Sequence, residues 1–136
     1  MTQPIQNFDG FSEPLKNYTK IPNEFFDKIL IGLKPPEVKV LLFIMRQTWG
    51  WHRAVAWIPL SQFTQTGPTR RTIQAAIESL MKKELVLRFD AGQGSNRRNY
   101  YLLKTPGKRK LLEDLATGKI TMEQFLASLP PPPEDE

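Results

Sequence analysis

Thr69, Arg70, Arg71 and Thr72 open the stretch "TGPTRRTIQAAIESLMKKEL", and their types and spacing raise the first chemical question about this chain. Periodicity predicts a helix here, with Thr69 as the N-cap whose hydroxyl accepts from a free backbone amide. Arg70 and Arg71 then fall in the first turn, where the helix dipole is already positive and acidic side chains are the usual occupants. Two guanidiniums at that end are best explained by a phosphate or a guanine that the chain does not itself supply. On a helical wheel Ile73, Ala76, Ile77 and Leu80 share one side, with Met81 at its edge, as a core stripe should. Arg71, Ala75, Glu78, Ser79 and Lys82 lie opposite, flanked by Thr72 and Gln74. Arg pairs bidentately with guanine, Gln with adenine, and Thr or Ser with a base or a phosphate, while the small Ala75 lets a helix approach a groove floor. A solvated helix face is the bland alternative, and it would more usually interleave Glu with Lys.

A second basic feature follows. "LVLRFD" and "NYYLLK" alternate as strands do, and "AGQGSNRR" between them makes a long, basic hairpin tip carrying Ser95, Asn96, Arg97 and Arg98. An ordinary Gly-rich loop is the other reading of that tip. The net charge of +5 is unevenly spread. From Ser61 to Lys110 eleven Lys and Arg face only Glu78, Glu84 and Asp90, a balance of +8, whereas the remainder carries eight against eleven, −3. A clustered positive segment is the footprint of a polyanion binder, because neutralised phosphates release condensed counterions.

The elements that must hold these residues are legible in outline. Residues 1–20 show no sustained period and read as a flexible N-terminal arm. Asn23 to Leu33 places Phe25, Phe26, Ile29, Leu30 and Leu33 at helical spacing. Pro35 and Pro36 break that helix and prime the next, and Val38 to Thr48, apolar nearly all round and closed at Gly50, reads as the centre of the core. "TWGWHRAVAWIPLS" carries all three tryptophans and the one histidine. Aromatics beside a buried helix read as core packing, although a Trp cluster can also stack bases. His52, with no second His or Cys near it, reads as a surface or hydrogen-bonded residue. "AVAWI" makes a short strand, and Leu60 to Gln65 a short helix closed by the turn at Gly67 and Pro68. The order helix, helix, short strand, short helix, basic helix, strand, basic loop, strand specifies a mainly α protein with a small β-hairpin, α+β, a winged helix-turn-helix spanning 21–105. In that arrangement the third helix enters the major groove of double-stranded DNA and the basic loop touches phosphate or the minor groove. Residues 106–129 form a helical extension that either caps the core or makes a dimer contact, and the Pro-rich acidic 130–136 is a tail or linker.

Three further stretches carry a resemblance. "YTKIPNEFF", "RQTWGWHR" and "SQFTQTGPTRRTI", in this order and spacing, resemble the N-terminal domain of bacteriophage replication protein O over Asn17 to Lys104. That resemblance implies an initiator that binds repeated origin sites, often as a homodimer, while a separate C-terminal region recruits the host replicative helicase through a loader. With no cysteine, secretory signal or membrane-length apolar run, the chain reads as soluble and cytoplasmic, in the bacterial host cytoplasm if it is phage-encoded. Two features depart from the pattern: Pro59 stands where a hydroxyl cap for the short helix is expected, and little chain remains for a helicase-recruiting region.

Other classes fit less well. No phosphate-binding loop, His/Cys cluster or close Asp pair points to an enzyme or calls for a cofactor, and Glu24 with Asp27, or Glu113 with Asp114, read as solvated helix acids. The absence of cysteine excludes disulfides and thiol chemistry. "MTQPIQNFDGF" lacks the basic and apolar regions of a secretory signal, and the longest apolar run, "VLLFIM", is far below the roughly 20 residues of a membrane span. A transcriptional regulator of the same fold and a protein-interaction module of a primosome remain as alternatives.

Overall fold

The computed structural model describes residues 3, 5–91, 98–105 and 108–128. The predicted Pro-rich tail lies outside them. The first helical segment differs from its predicted form: Phe25–Ile29 winds as a π-helix and Leu30–Gly32 as a 3-10 turn. These turns bring Phe25 into the core with Ile29 and Leu33 against it, and leave Phe26, Leu30 and Ile31 exposed. An apolar pattern two residues wide thus supplies only one buried face.

Helix α1, Pro35–Gln47, starts on its two prolines, which suit a first turn because their missing amides have no helical acceptor there. Val40, Leu41, Ile44 and Met45 are buried along it. It ends slightly before the expected glycine, where the buried Thr48 hydroxyl donates to the Ile44 carbonyl at 2.7 Å. A 3-10 turn, Trp49–Trp51, follows, and His52 takes a left-handed conformation with φ 56. Gly50 sits where a Cβ would come within 2.7 Å of the Thr19 hydroxyl and 2.9 Å of the Arg46 guanidinium, so the last residues of the predicted arm pack here.

The prediction that the tryptophans pack in the core is corrected for two of them. Trp49 does pack against it, but Trp51 is 53% and Trp57 45% exposed. The 3-10 turn carries Trp51 outward, and strand alternation puts Trp57 on the opposite side from the buried Ala56 and Ile58.

Strand β1 is short, Ala56–Trp57, and α2, Leu60–Phe63, starts directly after Pro59 without a side-chain cap. A 3-10 turn, Thr64–Thr66, leads to Gly67, whose φ of +117 requires glycine. Lys39 of α1 donates to the Thr66 carbonyl at 2.9 Å and so fixes this turn. Helix α3, Arg70–Lys82, packs on α1 and α2. Strands β2, Val86–Ala91, and β3, Arg98–Leu103, complete an antiparallel three-stranded sheet in the order β1-β3-β2. Register divides its faces. Ala56, Tyr101, Val86 and Leu103 point inward to the helices, and the aromatic series Phe43, Phe63, Tyr101, with centroids 5.4 and 5.3 Å apart, ties α1, α2 and β3 together.

Leu87 and Leu102, paired on the outer face, meet a second apolar cluster. Helices α4, Lys108–Ala116, and α5, Met122–Ser128, bring Leu111, Leu112, Leu115, Met122 and the fully buried Phe125 onto that face. The extension therefore packs on the protein's own sheet. No helix among the described residues is long and apolar enough to cross a membrane.

Candidate nucleic-acid interface

Helix α3 presents its first turn as the sequence predicts. Thr69 has extended backbone, φ −69 and ψ 163, and its hydroxyl oxygen accepts from the Thr72 amide at 3.3 Å. The same hydroxyl donates to Thr72 Oγ1 at 3.1 Å. Removing this cap by Thr69→Ala is expected to lower the unfolding free energy by about 1 kcal/mol, measurable by urea denaturation. No acidic residue stands in the first turn. Ile73, Ala76, Ile77 and Leu80 are buried, whereas Arg70, Arg71, Gln74, Ala75 and Glu78 are exposed and Thr72 is half-buried. Neither arginine makes a hydrogen bond or ion pair to another described residue. The dipole and two guanidiniums therefore add their potentials at one solvent-facing end.

Two acids that neighbour this surface are held elsewhere. Glu37, buried at the start of α1, accepts from the Lys34 amide and from Lys83 Nζ, both at 2.8 Å. Burial pushes its carboxyl up, but hydrogen bonds from Lys83, Ser79 and the Lys34 amide, with the Lys83 charge, outweigh that and hold it at about 2. Ser79 is thereby turned towards α1 and sits half-buried at the margin of the exposed face. Glu78 forms an ion pair with Arg88 of β2 at 3.6 Å. Arg88 also bonds the buried Tyr101 hydroxyl, whose pKa burial raises and Arg88 partly restores. Glu37 and Arg88 were not singled out by sequence. Only the position of Glu37 in the third place of a Pro-Pro helix start hints at its capping role.

Arg98, the first residue of β3, is exposed, and its guanidinium lies 4.1 Å from the centroid of the Trp57 ring. Ser95, Asn96 and Arg97, predicted with it at the hairpin tip, lie outside the described residues. Six of the predicted residues, Thr69 to Thr72 with Gln74 and Ala75, are gathered on one end of α3, and Arg98 stands on a separate element. The first turn of α3 is thus an exposed basic helix end with no carboxylate in it.

The model of the family described as bacteriophage replication protein O matches residues 14–100 of the 136. The chain belongs to the bacteriophage replication protein O family. Membership ties the chain to phage DNA replication and, through the family, to origin-related DNA binding. The matched span contains α1 to α3, β1, β2 and the start of β3, whereas α4 and α5 lie beyond it. No curated protein and no solved structure matches the chain.

Proposed function

We propose that this chain contains a winged helix that recognises duplex DNA sequence-specifically at a replication origin. Helix α3 enters the major groove, and the β2–β3 hairpin lies against phosphate or the minor groove. The observation that carries this reading is the capped, acid-free first turn of α3, with Arg70, Arg71, Gln74 and Ala75 turned to solvent. Gln74 and Arg71 have the donors and acceptors to read adenine and guanine edges, Ala75 permits close approach, and Arg70 and Thr72 suit the flanking phosphates.

Fluorescence anisotropy on the phage's own origin repeats and on scrambled duplex tests it. Arg71→Ala is expected to cost about 1–3 kcal/mol on the cognate repeat and to relax base preference, with little loss on scrambled DNA. Equal affinity of the unmodified protein for both duplexes at physiological salt would sink the sequence-specific reading. Repeats inside or beside the gene itself favour origin recognition, whereas a site overlapping a promoter favours transcriptional regulation.

A further inference from the structure

Trp57 is an unusual residue to leave 45% exposed on a short edge strand. Its neighbours Ala56 and Ile58 are buried, so its outward direction is set by the pleat. Opposite it in register stands Tyr100, itself stacked on Phe89 with ring planes 10° apart. The C-terminal helices pack on the Leu87 and Leu102 side of this face. What lies over the indole is the guanidinium of Arg98, at 4.1 Å.

That contact determines what Arg98 has to offer. The guanidinium carbon lies over the ring at 4.1 Å, the separation of a flat contact in which the π face meets the ring and the N–H fork, lying in the guanidinium plane, points outward. Arg98 pairs across the ladder with Ala91, which brings no side-chain acceptor. Asp90, paired with Asn99, alternates to the opposite face. Among the described residues no carboxylate forms an ion pair with Arg98. An aromatic ring therefore fixes this charge in place without neutralising it, and a planar donor fork fixed in this way matches a phosphodiester bidentately.

We propose that Trp57 is a positioning residue that holds Arg98 as a preformed receptor for one backbone phosphate at the root of the hairpin. The inference rests on the duplex-binding reading and adds to it a sequence-independent anchor. A flexible arginine would lose rotamer freedom when it met the phosphate, and stacking removes much of that loss beforehand.

Anisotropy titrations over a salt series, on origin repeat and scrambled duplex, test this with Trp57→Leu, Trp57→Phe, Arg98→Ala, Arg98→Lys and the double variant Trp57→Leu/Arg98→Ala. Arg98→Ala is expected to lower the salt slope by about one on both duplexes. Trp57→Leu keeps apolar cover but loses the ring, and should weaken both duplexes alike by about two- to fivefold, the range of an exposed cation–π contact. Trp57→Phe should restore most of this, and the double variant should bind no more weakly than Arg98→Ala alone. Trp57→Leu binding like the unmodified protein, or losses that multiply in the double variant, would overturn the proposal. Should Trp57→Leu melt below the assay temperature, Arg98→Lys decides. It keeps the charge without the planar stack, so the same two- to fivefold loss is expected, and unchanged binding overturns the proposal. Discrimination between origin and scrambled DNA, and its loss in Arg71→Ala, reports on the recognition reading independently of the Trp57 variants. An unmodified protein that binds neither duplex overturns both.

Discussion

Phe125→Ala is expected to lower the unfolding free energy by about 3 kcal/mol, the lower end of the range for removing a buried phenyl ring. The ring is fully buried between the C-terminal helices and the sheet, and it meets Phe89 edge to face at a centroid distance of 5.4 Å. The lower end applies because the second cluster is small and the side chains packed around its buried members are only partly buried, so they can close into part of the space left behind. Urea denaturation followed by far-UV dichroism measures the loss, and amide exchange locates it. Protection should fall in β2 and β3 as well as in α4 and α5, since Leu87 and Leu102 lose their cover. The packing of α3 belongs to the other cluster, through Ile73, Ile77 and Leu80 on Val40, Leu41 and Ile44. Duplex affinity at temperatures well below the transition should therefore change little. A destabilisation under about 1 kcal/mol would mean that α4 and α5 are only loosely docked.

The contrast between these two clusters also explains what was legible in the sequence. Helix α3 carries a full amphipathic period within one stretch, so Ile73, Ala76, Ile77 and Leu80 identify their own buried side, and Thr69 its own cap. The strands β2 and β3 start within one residue of where alternation puts them. Trp57 was misread because a two-residue strand is too short to display its period, and proximity to a buried helix then suggested the core. Phe26 and Leu30 were misleading in the opposite way, since an apolar spacing that fits a wheel does not say how much of the wheel has a partner. Glu37 was hidden for a third reason. Its partners Ser79 and Lys83 are remote in sequence, and only the crossing of α1 over the end of α3 brings them together. The same crossing takes Ser79 out of the open part of the basic face and leaves the N-terminal half of α3 as the surface with unengaged donors.

That crossing makes a pH dependence the second large effect. The Glu37 side chain is 4% exposed and its carboxyl is held at about 2 against an ordinary 4.5. A carboxylate whose pKa is depressed by folding contributes stability that is fully present above its unfolded value and is lost as pH falls through the folded one. The window for this protein is therefore from about 4.5 down to about 2. At about 1.4 kcal/mol per pH unit the lowered pKa corresponds to at most about 3.5 kcal/mol. Lys83 is 39% exposed, and water at that side chain screens part of its charge, so about 2 kcal/mol is the expected contribution. Glu37→Gln keeps an oxygen for the Lys34 amide but has no charge for Lys83. The variant should thus be about 2 kcal/mol less stable than the unmodified protein at neutral pH, and the difference should close as the pH approaches 2. Urea denaturation of both proteins across that range is the measurement. A gap that stays constant with pH would show that the loss comes from packing alone, and that Lys83 and Ser79 do not select the ionised carboxylate.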